Sequence, residues 1–210
     1  MSPRFGFFNY TAAMPVYADA NSTTPMPPEV VKAWTAVLDR GDPFEGSSAT
    51  ADATRALLNR FQRQFERDSD LRKDQFRFLF TSGAAEANIS MLNTCVSSYH
   101  AVTKHKPHVV IGASEPSSIR DYVCQLSSGG RCSYSFAILD PAEGAPTAAT
   151  VKAVLRPNTC LVMVSAANPI TGALTNLKAI GQECFVETVA NRRGHQTSKR
   201  RVPLHSDISA

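Results

Sequence analysis

Two short runs in this chain carry almost no polar residue: HVVI at residues 108–111 and TCLVMV at 159–164. A strand with one wet face alternates apolar and polar side chains, because successive residues point to opposite faces of the sheet. Runs without that alternation are covered on both sides, which is the signature of a parallel or mixed sheet sandwiched by helices. The segments between them agree. Val30, Val31, Trp34, Val37 and Leu38 recur at helical spacing after Pro27-Pro28, with Gly41 closing the segment, and Ala53, Leu57, Phe61 and Phe65 form a second helical stripe. Further helices are expected over 84–99, 117–126, 148–155 and 176–190, and further strands over 76–81 (FRFLFT), 132–139 and 202–205. The expected fold class is therefore α/β, with a mostly parallel sheet covered by helices on both faces. No internal repeat or low-complexity tract interrupts it.

The 210 residues suffice for one good core, and 43% hydrophobic with 19% charged residues is the balance of an ordinary globular protein. The net charge of +4 is too mild to mark a dedicated nucleic-acid or membrane protein. The five cysteines (Cys95, Cys124, Cys132, Cys160, Cys184) are odd in number, widely spaced and free of CxxC pairs, which argues against a disulfide framework or a four-thiolate metal site. They are expected to be small buried hydrophobes in a reducing compartment. No apolar run approaches the roughly 18–20 residues of a membrane span. Residues 1–15 are set apart as an N-terminal leader, a poor secretory signal with a single arginine and a polar break at Asn9. The expected location is the cytoplasm.

Residues 191–201 (NRRGHQTSKRR) concentrate five basic side chains in a glycine-containing polar stretch expected to be a loop. It reads either as a solvated surface loop or as an import or polyanion-binding patch, and nucleic acid enters the reading only through it.

Thr81-Ser82-Gly83-Ala84-Ala85-Glu86 falls where a strand is expected to end and a helix to begin. Such a turn is often plain structure. It is also an anion site in waiting, because the first amides of a helix lack intrahelical partners and the dipole is positive there. Gly83 lets a ligand approach the backbone, and Ala84 and Ala85 leave room for a phosphate. No G-x-G-x-x-G accompanies it, and Gly129-Gly130 precedes a strand, which disfavours a dinucleotide-binding domain.

In order along the chain stand VYADANSTTP at 16–25, Gly41-Asp42-Pro43, FTSGAAEAN at 80–88, SAANPITG at 165–172 and Leu204-His205-Ser206-Asp207. This set resembles the NifS/IscS, or cysteine desulfurase, branch of the class V aminotransferases. That family shows D-x-x-x-T-T-P, T-S-G-A-T-E, an Asn-containing turn before glycine, and H-x-D. The resemblance implies the large domain of a fold-type-I pyridoxal-phosphate (PLP) transferase, occupying residues 16–210. It implies PLP as cofactor and a small amino acid as substrate. The amides of Ala84 and Ala85 would hold the PLP phosphate, Asn168 the phenolic oxygen of the ring, and Asp207 the pyridine nitrogen, keeping it protonated and the ring an electron sink. Read by itself, Asp207 is an exposed strand-end carboxylate near the basic stretch; His205 two residues before it is what brings the cofactor role level with that reading.

Several positions depart from the family pattern. Ala85 stands where the family has a threonine hydroxyl, and Pro116 where it has a ring-stacking, proton-shuttling histidine. The turn after Asn168 reads P-I-T-G, and Ala210 replaces a cofactor-contacting glutamine. The family's cofactor-bonding lysine, in S-x-H-K, and its sulfur-accepting cysteine come later than Ala210, and none of the lysines here sits in a matching motif. The expectation is a truncated, NifS-like pseudoenzyme that is inactive alone and holds PLP at most non-covalently; the competing expectation is a non-catalytic binding or dimerisation module of the same fold. A sheet that stops partway exposes an edge and apolar surface, so a homodimer or a completing partner chain is expected. Shortened NifS-like proteins of large DNA viruses are similar in lacking the distal half, which adds the virion as an alternative location.

Overall fold

The computed structural model describes residues 24–38, 46–69, 76, 78–189 and 197–208. The leader, most of VYADANSTTP, Gly41-Asp42-Pro43 and Lys73 lie outside the described residues. The chain divides into two compact units, Met1–Arg77 and Phe78–Ala210.

The first unit holds α1 (Pro28–Leu38) and α2 (Ala49–Asp68). Pro28 opens α1 at the first helical position, where its missing N–H would have had no partner. Ser48 caps α2, its hydroxyl accepting from Ala51 N at 3.1 Å. The helical stripes read from the sequence are in place, yet their apolar side chains remain accessible: Trp34 is 55% and Leu57 54% exposed.

The second unit runs α3 (Ala84–Thr103), β1 (His108–Gly112), α4 (Ser117–Ser128), β2 (Ser133–Ala137), α5 (Ala148–Lys152), β3 (Thr159–Met163), α6 (Leu177–Glu183), β4 (Phe185–Val189), β5 (Thr197–Arg201) and β6 (Leu204–His205). Its main sheet has the order β2-β1-β3-β6, parallel throughout, with His108 level with both Ser133 and Thr159. β1 and β3 are buried along their whole length, as their unalternated sequences require. Val109, Ile111, Leu161 and Met163 pack with Leu92 and Val96 of α3 and Ile119 and Val123 of α4. Val110, Val162 and Val164 pack with Val151 of α5 and Ile180 of α6. The expected helix-covered α/β sheet is thus the architecture found. Cys132, Cys160 and Cys184 are buried, Cys95 and Cys124 half-buried, and all five are free thiols.

Four expectations need correction. Residues 78–81 join no strand ladder: Phe78 and Phe80 meet edge to face at 4.8 Å while Leu79 is 82% exposed. The aromatic run suggested a strand, but these residues adopt none. The helix expected over 176–190 stops at Glu183, and Phe185–Val189 becomes a strand. Its antiparallel partner is Thr197–Arg201, within the stretch expected to be a basic loop. The polar β5 has no apolar pattern to reveal it; the ladder to β4 satisfies its backbone. Finally, α5 ends at Lys152, three residues short of expectation, in the turn that leads to Pro157.

Candidate cofactor site

Because the strands are parallel, β1, β3 and β6 all deliver their following residues to one end of the sheet. After β1 the chain turns at Glu115, whose N–H donates to Gly112 O at 3.2 Å. The Glu115 carboxylate folds back over the sheet end, accepting from Ser165 N at 2.5 Å and Ser165 Oγ at 2.8 Å. The residue is only 3% exposed. Burial pushes its carboxyl above the usual range, the two Ser165 bonds pull the other way, and the neighbouring Asp207 carboxylate adds to the rise. Gly112 makes this return possible, since a β-carbon there would lie 2.9 Å from Glu115 Oε1. Pro116, in the place of the family's histidine, flanks α4 at its N-cap, its carbonyl accepting from Ile119 N and Arg120 N.

Beyond β6 the ladder continues, with Val164 N donating to His205 O at 3.1 Å and Ala166 N to Asp207 O at 2.8 Å. His205 and Asp207, two apart and so on one side, both meet Asn88 of α3. Asn88 Nδ2 donates to Asp207 Oδ2 at 2.8 Å, and Asn88 Oδ1 lies 2.6 Å from His205 Nε2. An amide whose nitrogen faces a carboxylate presents its oxygen to the ring, so His205 donates from Nε2. Burial lowers the His205 pKa against the opposing pull of Asp207. Asn88 itself is 3% exposed. It begins the buried stripe Asn88, Leu92, Val96, which lies along the sheet and turns polar where the strands end.

Asn88 is also one helical turn from the start of α3. Ala87 N is the first amide to close a helical bond, to Gly83 O at 3.1 Å. The amides of Ala84 and Ala85 precede it and point out of the helix, from residues that are exposed. Nothing lies within 4 Å of where a β-carbon on Gly83 would sit. The Glu86 carboxylate reaches back to accept from Ser82 N at 2.6 Å, and the Ser82 hydroxyl and amide hold it below the usual carboxylate range. The helix mouth therefore already carries one anion beside the two outward amides.

Of the residues singled out from the sequence, Ala84, Ala85 and Asp207 are brought to one end of one unit, linked through Asn88. Asn168 is not brought to them through its side chain. Its Nδ2 donates to Gly144 O at 2.9 Å and its Oδ1 accepts from Ile170 N at 2.9 Å and Thr171 N at 3.4 Å. The carboxamide is the hub of its own turn. Sequence reading missed Asn88 and the Glu115–Ser165 pair. The legible signal for Asn88 was a lone amide opening an apolar i, i+4 stripe; Glu115 had only its place in a strand-to-helix turn.

The donor set suits the two ends of a phosphorylated pyridine: amides at a helix mouth for the phosphate, and the Asp207 carboxylate, held by Asn88 one turn along α3, for the ring nitrogen. No His, Cys, Asp and Glu grouping among the described residues suits a metal ion.

Residues 16–189 match the family model Aminotransferase class-V. The chain belongs to the class V aminotransferases. Among its relatives are NifS-like proteins and a cysteine desulfurase. It is 32% identical over 136 residues to a NifS-like protein of African swine fever virus, covering 65% of this chain and 32% of that one. It is 29% identical over 181 residues to the cysteine desulfurase IscS of Psychromonas ingrahamii, covering 81% and 42%. In structure it is similar to a NifS-like protein, with a TM-score of 0.73 at 17% identity, over 93% of this chain and 49% of that one. It is similar as well to a C-DES mutant with glycine covalently linked to its PLP cofactor, with a TM-score of 0.66 at 19% identity, over 92% and 46%. The fold is thus a partial fold-type-I PLP-transferase large domain, and this class V chain spans less than half the length of these relatives.

Proposed function

We propose that this class V chain is the PLP-holding part of a NifS-like, cysteine-desulfurase-type protein, and that its 210 residues hold the cofactor through non-covalent contacts alone. The observation that carries this reading is the Asp207 carboxylate, gripped by Asn88 one turn from the outward amides of Ala84 and Ala85. PLP, when bound, supplies an electron sink. Asp207 holds the proton on the pyridine nitrogen, Asn88 fixes the carboxylate, and the amides orient the phosphate. Pro116 offers an apolar face and no proton shuttle. The Asn168 amide, committed to its turn, contributes shape only.

A second reading, a non-catalytic binding or dimerisation module of this fold, draws support from Ala85, Pro116 and the commitment of Asn168. The accessible apolar faces of α1 and α2 suit a covering second copy or completing chain. No described helix is long and apolar enough to cross a membrane.

The test is a PLP titration of the purified chain, followed by absorbance, then gel filtration with and without borohydride. The proposal expects saturable binding that Asp207→Ala weakens by about tenfold (roughly 1.4 kcal/mol) and that borohydride does not render permanent. Absent binding favours the non-catalytic module, and borohydride-fixed cofactor overturns non-covalent holding. Sulfide release from cysteine by this chain alone is not expected.

A further inference from the structure

Where the main sheet begins, one histidine side chain ties three strands together. His108 opens β1 and is fully buried. Its Nδ1 lies 2.9 Å from Thr159 Oγ1 of β3 and its Nε2 3.1 Å from Ser135 Oγ of β2. Arg156, in the turn before β3, reaches both hydroxyls. Its backbone N donates to Thr159 Oγ1 at 2.8 Å and its Nη2 to Ser135 Oγ at 2.9 Å. The network sits at the far end of the strands from Asp207 and is independent of the cofactor reading.

Counting protons shows what this arrangement can do. A neutral imidazole has one N–H and one bare nitrogen, so it donates to one hydroxyl and accepts from the other. An imidazolium has two N–H groups and accepts nothing. Each hydroxyl oxygen would then receive from the ring and from Arg156 at once, and neither hydroxyl proton has another acceptor among the described residues. The surroundings offer no compensating carboxylate. β2 and β3 bring hydroxyls, and the turn brings the Arg156 guanidinium. Lys106 stands two residues before the ring, and Arg200 of β5 donates to Thr159 O at 2.5 Å. Lys152 of α5 and Glu183 of α6 are paired with each other at 2.7 Å. Burial first, and then the Arg156 charge, hold the His108 pKa down to about 4 from an ordinary 6.5.

We propose that His108 is an acid-operated clasp on the edge strand β2, closed while the ring is neutral and released when the ring takes its second proton. β2 is the strand set free because it pairs with β1 alone, whereas β1 lies between β2 and β3 and is buried along its length. The start of β3 keeps other ties, His108 N to Asn158 O at 2.9 Å and Arg200 to Thr159 O. Because the closed state lowers the proton affinity of the ring, the clasp is complete above pH 6.5 and is lost as pH falls towards 4. Over that window the opening equilibrium of β2 rises about tenfold per pH unit, roughly 300-fold in all. Glu115, at the other end of the strands, responds with the opposite sign, since acid stabilises its folded form.

The experiment is hydrogen exchange of the full chain read by mass spectrometry from about pH 7 to about pH 3.5, corrected for intrinsic exchange. Peptides over 133–137 are expected to lose protection with the stated pH dependence while those over 108–112 and 159–163 keep theirs. His108→Gln, which offers a donor and an acceptor and does not titrate, keeps β2 protected into acid. Arg156→Gln keeps a donor for Ser135 and removes the charge, so its rise levels off at a higher pH. Protection of β2 that does not change with pH overturns the proposal, as does simultaneous loss in all three strands or an unaltered pH dependence in His108→Gln. Where circular dichroism shows His108→Gln unfolded, Arg156→Gln decides, and an unmoved curve overturns the proposal.

Discussion

Gly112→Ala tests the end of the sheet most directly, because the backbone at this strand position accepts alanine and only its surroundings object. The new methyl would lie 2.9 Å from Glu115 Oε1, with Pro146 Cγ and Val164 Cγ1 each at 3.5 Å on other sides. Ordinary contact needs about half an ångström more, and the two apolar neighbours block the methyl from moving away. The carboxylate must retreat, which stretches or breaks its bonds to Ser165 N and Ser165 Oγ, at 2.5 and 2.8 Å. Hydrogen bonds to a charged group contribute about 1.5–3 kcal/mol each, so losing the better part of two costs about 3 kcal/mol. For a chain of this size that lowers the melting temperature by roughly 10 °C. The assay is urea unfolding of Gly112→Ala alone and in a Glu115→Ala background. With the carboxylate removed, the methyl has space and its cost should fall below about 1 kcal/mol. Equal costs in the two backgrounds would refute the reasoning, since the strain would then not pass through Glu115.

The buried Glu115 carboxyl titrates above its ordinary 4.5. The folded state therefore binds that proton more tightly than the unfolded chain, and the associated stability is complete below 4.5 and fades as pH rises through the folded value. Unfolding free energies measured from acid to neutral pH should decline in this window, and Glu115→Gln should flatten that decline. Asn88→Ala leaves Asp207 and His205 each short of a partner and is expected to cost about 2 kcal/mol, discounted because both lie partly in solvent. Asn88→Asp, which sets a second carboxylate against Asp207, should cost more; denaturant titration of the two variants gives the order.

How much of this was legible depends on where each segment's backbone bonds go. β1 and β3 announced themselves because both faces are buried, so every side chain had to be apolar. β4 and β5 did not, because a two-stranded ladder can be satisfied by a partner as polar as Thr197–Arg201. The run 78–81 misled for the reverse reason, having a strand's side chains without forming a strand. Motif order put Ala84, Ala85 and Asp207 forward, and the fold brings them to one end of one unit. Asn168 was readable as a turn residue, but whether its amide faced a ligand or its own loop depended on Gly144, distant in sequence. Asn88 and the Glu115–Ser165 pair are tertiary contacts, bridging 119 and 50 residues, and no local pattern encodes them.

The parallel order of the strands also sorts charge along the molecule. Lys106, Arg131 and Arg200 gather where strands begin, and Glu115 and Asp207 where they end. Those two carboxylates at one mouth make a locally negative rim there, so an anion arriving at that end has to be met by the outward amides of α3 rather than by the strand-end side chains.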